Sequence, residues 1–328
     1  MAKISVLGSG RWGSLIAWYL HEIGHEILLW GKQDTYEIDL LLSTRSNGTI
    51  SFTKDVKITS DIDLALESEY IIISINSQNL RSLLGDLCGD FYVSGGYSQK
   101  LSKKKIILCM KGIEEVSGKR LSQVVEDFLP KNRKVAIWVG PGHVKSLLKG
   151  VPTCMVIDSL DADFKRELIE VCSSRLIRCY FGNDLIGNEI GAAAKNVIGI
   201  GAGMLDALDM CALKGALMAR GTLEVSRLIT AMGGDFRTAY GLCHLGDYEA
   251  TLFSQESNNR KFGELLILGG EYKFVAEGVG TSAAINNISC KLSISLPIFV
   301  EIFKIINKIS DPEKSIEFLF SRELGAEW

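Results

Sequence analysis

Six residues near the N-terminus constrain this chain more than any other stretch: Gly8-Ser9-Gly10-Arg11-Trp12-Gly13. They follow the apolar run Lys3-Ile4-Ser5-Val6-Leu7, which reads as a short buried strand, and they open an apolar helical pattern from Ser14 to about Ile23. Gly24 ends that pattern, and Glu26-Ile27-Leu28-Leu29-Trp30 supplies a second strand. In such a unit the first glycine permits the tight turn and the second lets the backbone approach a pyrophosphate. The third lets helix and strand pack closely, with the phosphates over the positive helix N-terminus. Gly8, Gly10 and Gly13 hold those places, which predicts a dinucleotide-binding unit; the competing reading is a glycine-rich turn with no ligand.

The end of the second strand bears on which dinucleotide is bound. An NAD-selective site places an acid about 20 residues past the glycines, whereas a basic residue there suits a 2′-phosphate. Here the strand runs into Trp30-Gly31-Lys32-Gln33, so Lys32 favours NADP, with Asp34 two positions on as the counter-indication. A solvated lysine at a strand end is the plain alternative.

Further strand-like runs lie at 70–75, 105–110, 134–139, 153–157 and 176–181, alternating with helical patterns at 121–129 and 164–172. That alternation predicts a mostly parallel sheet covered on both faces. After about Asn183 the periodicity becomes helical, at 189–204, 213–232, 247–253, 261–268, 281–292 and 296–309. The chain therefore reads as α/β, with a doubly wound N-terminal domain over residues 1–183 and an all-α domain over 184–328. A length of 328 residues suits two such domains.

A formal charge of −3 gives no general attraction for nucleic acid or an anionic membrane, so any anion must be bound locally. The eight cysteines show no C-x-x-C pair and no nearby histidine cluster, so neither zinc nor a disulfide framework is expected. The chain opens on a strand, and apolar runs such as Tyr70-Ile71-Ile72-Ile73 are far too short to span a bilayer, which together favour a reducing cytoplasm. The apolar stretch from Leu296 to Ile309 suits a homodimer face and a packed core equally well.

The catalytic candidate is Lys195, a single cation among small and apolar residues at helical spacing in the run Glu189-Ile190-Gly191-Ala192-Ala193-Ala194-Lys195-Asn196-Val197-Ile198-Gly199-Ile200-Gly201-Ala202-Gly203. Loss of hydration among such neighbours disfavours the charged form and draws an amine toward proton exchange with a reacting oxygen. Snorkelling to the surface is the alternative. Sites in doubly wound sheets open at the carboxyl ends of strands. Three further segments fall there: Met110-Lys111-Gly112, Gly140-Pro141-Gly142-His143 and Asn76-Ser77-Gln78. With Lys111 converging on Lys195, an anionic, carbonyl-bearing substrate is expected.

The glycine loop, Met110-Lys111-Gly112, Gly140-Pro141-Gly142, Ala194-Lys195-Asn196-Val197 with Gly201-Ala202-Gly203, Leu245-Gly246-Asp247, Ser257-Asn258-Asn259-Arg260 and Ala276-Glu277-Gly278 together resemble bacterial NAD(P)-dependent glycerol-3-phosphate dehydrogenases. The resemblance covers nearly the whole chain in order, and the Ala-Lys-Asn-Val segment is far more specific than the glycine loop. It implies a Rossmann domain followed by a helical domain of the 6-phosphogluconate dehydrogenase C-terminal type. It also implies reversible hydride transfer between NAD(P)H and dihydroxyacetone phosphate, giving sn-glycerol 3-phosphate for phospholipid synthesis.

By that resemblance Lys195 is the proton donor, Lys111 touches cofactor and substrate, and Asp247 is a substrate-site carboxylate. Asp247 also reads as a helix N-cap, and Glu277 as a surface acid. Arg11, Trp12, Lys32, Val144, Asn258, Val275 and Glu277 fall on cofactor positions, and Gly140, Gly142, Ser257, Asn258 and Asn259 on substrate positions. Two departures alter the phosphate pocket: Asn258 stands where relatives usually carry Arg, and Gly142 where they usually carry a hydroxyl. Arg260 and His143, with Lys261 and Lys145 nearby, are the candidates to compensate. A related reductase of another small keto acid, or a dinucleotide-binding regulator without turnover, are the competing functions.

Overall fold

The computed structural model describes residues 1–89, 98–130 and 134–323. The chain forms two compact units: residues 1–111 with 119–185, and residues 112–118 with 186–328. The exchange of the short segment 112–118 is a feature that periodicity does not signal.

The first unit is built on strands β1 (Lys3–Leu7), β2 (Glu26–Trp30), β3 (Lys57–Thr59), β4 (Tyr70–Ile73), β5 (Lys105–Leu108), β6 (Val135–Val139), β7 (Thr153–Ser159) and β8 (Ile177–Phe181). They form one sheet in the order β3-β2-β1-β4-β5-β6-β7-β8. The first six are parallel, β7 runs antiparallel to β6, and β8 is parallel to β7. Every residue of β4 is buried, as expected of a strand covered on both faces. At the sheet's edge, β8 instead exposes Arg178, Tyr180 and Phe181 and buries Ile177 and Cys179. The core between sheet and helices includes Val6, Leu20, Ile72, Trp138 and Phe164.

The second unit surrounds the helix Leu185–Ala207, in which residues 187–205 are all buried. Small and apolar residues dominate it on every side, as in an interior helix, and the polar Asn188, Glu189, Lys195 and Asn196 are buried among them. Helices Lys214–Ala231, Asn258–Leu268, Glu277–Leu292, Pro297–Ile306 and Pro312–Ser321 pack around it or around one another. Leu296, Phe299, Ile302 and Ile305 are all buried in this unit's core, so the packing alternative accounts for that face of the stretch.

Small residues set how closely these helices cross. A Cβ at Gly203 would lie 1.9 Å from the Arg260 carbonyl oxygen, and one at Gly263 would lie 2.0 Å from the Ile200 carbonyl oxygen. The clash is with backbone, which cannot rotate away, so Gly203→Ala must push its helix away from the neighbour that carries Arg260. We expect it to lower unfolding stability by about 1–3 kcal/mol in chemical denaturation, whereas Gly215→Ala, at an open helix position, should raise it by a few tenths to about 1 kcal/mol.

Candidate active site

In the first unit the candidate residues gather at the carboxyl ends of the central strands. Gly8 leaves β1 with φ at +128°, a conformation that side chains resist, and a Cβ there would lie 2.2 Å from the Ser74 carbonyl oxygen beyond β4. A Cβ on Gly13 would lie 1.9 Å from the Gly8 carbonyl oxygen, so loop and helix touch through bare backbone. Gly10 is the N-cap of the helix Arg11–Glu22, without a side-chain cap, and a Cβ there would meet nothing within 4 Å. That open space over a positive helix end has the form of a pyrophosphate seat.

Trp12 lies in the first turn of the same helix. Its indole Nε1 is buried with no hydrogen-bond partner among the described residues, an N–H donor that a ligand could satisfy. A Cβ on Gly142 would lie 2.6 Å from the Trp12 ring, so the residue that removes a hydroxyl also makes room for the indole. The Lys111 ammonium donates to the Gly140 carbonyl at 2.6 Å and lies 5.8 Å from the centroid of the Trp12 ring. Gly142→Ser therefore displaces Trp12, and we expect it to raise KM for the reduced nicotinamide several-fold with little change in melting temperature.

Other expected cofactor residues stand differently. Lys32 and Arg11 are exposed, at the end of β2 and the start of the glycine-loop helix. Val144 is buried at the start of the helix Val144–Leu148 and packs in the core. Asn76 turns inward on its own chain and accepts from the Gln78 N–H at 2.9 Å.

In the second unit, Lys195 is buried near the middle of its helix and does not snorkel. Its Nζ lies 2.8 Å from Asp247 Oδ2 and donates to Thr251 Oγ1 at 2.7 Å. Thr251 in turn donates to the Asp247 backbone carbonyl at 2.7 Å, which closes the cluster. The side chain of Asp247 is 1% exposed and pairs with the lysine, while the two short helical turns that meet here have His244 and Tyr248 as their N-caps. Apolar surroundings alone therefore do not describe Lys195; a carboxylate shares its pocket. Asp247 and Thr251 come from a 3₁₀ turn at Leu245–Asp247 and a π-helical turn at Glu249–Phe253, where periodicity predicts one regular helix over 247–253. Thr251, missed by sequence reasoning, had no signal beyond its four-residue spacing from Asp247.

Residues expected around the substrate phosphate are strongly tied within this unit. Ser257 caps the helix Asn258–Leu268, accepting from the Arg260 N–H. Asn259 donates to Asn196 Oδ1 at 3.0 Å and accepts from the Gly278 N–H at 2.9 Å, pinning two chain segments beside Lys195's neighbour. Arg260 is held by Asp206 at 2.5 Å, and Asp206 also pairs with Lys214. These ion pairs hold the Asp206 carboxyl below the usual carboxylate range, although burial opposes them. Asp206 lies about 16 Å along the helix from Lys195, so the structure gives Arg260 a partner well away from the lysine. Asn258 is half-buried and donates to the Val275 carbonyl, Val275 is exposed, and Glu277 opens the helix Glu277–Leu292.

A parallel nucleotide-binding sheet with this glycine loop, joined to a helical unit carrying a buried lysine–carboxylate pair, defines the class of NAD(P)-dependent dehydrogenases with a helical second domain. Comparison with known proteins makes the placement specific. The model for the NAD-dependent glycerol-3-phosphate dehydrogenase N-terminus matches residues 3–165, and that for the C-terminus matches 184–317. The chain belongs to the NAD-dependent glycerol-3-phosphate dehydrogenase family.

It is 33% identical to a glycerol-3-phosphate dehydrogenase [NAD(P)+] of Clostridium botulinum, over 100% of this chain and 99% of the relative. It is 32% identical to one from Fusobacterium nucleatum, over 98% of each. The crystal structure of glycerol-3-phosphate dehydrogenase from Coxiella burnetii is similar with a TM-score of 0.87 and 25% identity, covering 98% of this chain and 99% of that one. A D-mandelate dehydrogenase shares the fold at a TM-score of 0.64 and 15% identity.

Proposed function

We propose that this chain reduces dihydroxyacetone phosphate reversibly to sn-glycerol 3-phosphate, supplying the glycerol backbone of phospholipids. The observation that carries the reading is the buried Lys195–Asp247–Thr251 cluster within a chain of this family. NAD(P)H, when bound, supplies the hydride; Gly8, Gly10 and Gly13 would seat its pyrophosphate, and Trp12 and Lys111 would contact it beyond the loop. Arg11, Lys32, Val144, Asn258, Val275 and Glu277 complete the proposed cofactor set, and Lys32 favours NADPH.

The work of this chain is at the ketone oxygen. As negative charge develops there, Lys195 gives it a proton, so no free alkoxide forms. The proton lost from Nζ is replaced from solvent before the next turnover, and the sequence reverses in alcohol oxidation. Asp247 holds the ammonium in place and Thr251 fixes its direction. Lys111 neutralises the substrate phosphate or polarises the carbonyl, with Gly140, Gly142, Ser257, Asn258 and Asn259 lining the substrate. Arg260 would have to leave Asp206 to reach a phosphate, so His143 carries the larger share of the compensating role. Unchanged KM for dihydroxyacetone phosphate in both His143→Ala and Arg260→Ala would remove that assignment.

The decisive experiment follows oxidation of NADH and of NADPH by the purified chain, with dihydroxyacetone phosphate set against a panel of small keto acids. Turnover of the phosphorylated ketone alone supports the reading; turnover of keto acids alone overturns it. A cytoplasmic setting fits the eight free cysteines and the absence, among the described residues, of any helix long and apolar enough to cross a membrane. No nucleic-acid or membrane partner is proposed. Homodimerisation is, through the half-buried Ile298 and Ile306 and the exposed Ile309, and sedimentation velocity tests it.

A further inference from the structure

His244 is completely buried, and the proton transfer at Lys195 does not use it. One ring nitrogen, Nδ1, lies 3.0 Å from the Gly191 carbonyl oxygen, and the other, Nε2, lies 2.7 Å from the Tyr248 hydroxyl. A carbonyl only accepts, so Nδ1 carries the proton. In a neutral ring Nε2 is then a lone pair, and Tyr248 must donate to it. The two rings also meet edge to face, with centroids 4.7 Å apart. Burial lowers the imidazole pKa to about 4 against the hydrogen bond to the Gly191 carbonyl, which raises it; Lys195 adds to the lowering and Asp247 opposes it. The ring is therefore neutral in ordinary buffers, and its tautomer is fixed by the two partners.

The location gives this arrangement its use. Gly191 is one helical turn before Lys195, on the same helix. His244 and Tyr248 flank Asp247 in sequence, where the backbone is first 3₁₀ and then π-helical. Such turns lack a long regular hydrogen-bond ladder and so do not by themselves fix where Asp247 and Thr251 point. A Cβ on Gly191 would come 3.1 Å from His244 Cβ, so the glycine admits the ring at close range.

We propose that His244, supported by Tyr248, is a positioning residue that ties the Asp247–Thr251 turn to the helix of Lys195 and so sets the geometry of the proton donor. The inference rests on Lys195 being that donor. Because His244 acts through Asp247, its loss weakens the carboxylate's hold on the ammonium. The lysine then gives up its proton at lower pH, and the alkaline limb of ketone reduction moves down.

The test measures kcat and KM for dihydroxyacetone phosphate across pH, with melting temperatures, in the full chain. Variants are His244→Leu, His244→Asn and Tyr248→Phe, with Asp247→Asn as reference. His244→Leu is expected to lower kcat about tenfold with KM nearly unchanged, and to move the alkaline limb down by roughly one pH unit, in the direction expected for Asp247→Asn. His244→Asn keeps an N–H for the Gly191 carbonyl and should recover most of the loss; Tyr248→Phe should fall between. If the limb moves in Asp247→Asn but not in His244→Leu, the proposal is wrong and the proton-donor reading stands. If it moves in neither, both fall. A lower melting temperature in His244→Leu with the limb in place means plain scaffolding, and also overturns the proposal.

Discussion

Lys195→Met is expected to lower kcat for dihydroxyacetone phosphate reduction by about 10²–10⁴-fold, the range for loss of a positioned proton donor. Methionine keeps an unbranched side chain out to the ε position and removes only the ammonium, so KM should change far less than kcat. The substitution also strands Asp247, whose side chain is 1% exposed, and removing one partner of a buried pair costs about 3–5 kcal/mol. A fall in stability therefore belongs to the expected result. The double variant Lys195→Met/Asp247→Leu separates the two effects: it should regain much of the melting temperature and none of the activity. Activity returning together with stability would show that the lysine is structural.

The second large effect is expected at the glycine loop. In Gly13→Val the new Cβ meets the Gly8 carbonyl oxygen, from which it would be separated by 1.9 Å, and the added methyls meet whatever the loop moves toward. Gly8 has little room to yield, because at a φ of +128° its backbone runs so close to Ser74 that a Cβ added there would lie 2.2 Å from the Ser74 carbonyl oxygen. The loop must lift off the helix start, which moves the N–H groups proposed to bind the cofactor's phosphates. We expect the dissociation constant for NADPH, measured by fluorescence titration, to rise at least about 100-fold, the equivalent of about one or two charge-assisted hydrogen bonds lost. Tight binding retained in Gly13→Val would sink the assignment of this loop to the cofactor.

What was legible in the sequence follows a physical line. The β1 run, the glycines and the Lys195 helix could be read because each depends on local rules: burial on both faces, bare backbone at a turn, small and apolar residues dominating a helix on every side. β3 is three residues long and only partly buried, so Lys57–Thr59 left no run to detect. The helix Pro312–Ser321 buries one residue, Ser315, which gives its pattern little contrast. Lys195 was identified by its apolar neighbours in sequence, but its carboxylate comes from a turn about fifty residues later, a tertiary pairing that no local period reports. Arg260 shows the same limit from the other side: its sequence neighbours suggest a phosphate ligand, and the fold gives it Asp206.

The short segment 112–118 has a practical bearing on how this polypeptide could be dissected. Ile113 is fully enclosed in the second unit's core, and Gly118 lies where a Cβ would press on Ile288. A gene fragment beginning at residue 186 would thus be translated without a plug of its own interior, and should come out sticky or unfolded. Supplying the seven missing residues as a peptide, or grafting them back through a linker, is the rational route to an isolated helical half.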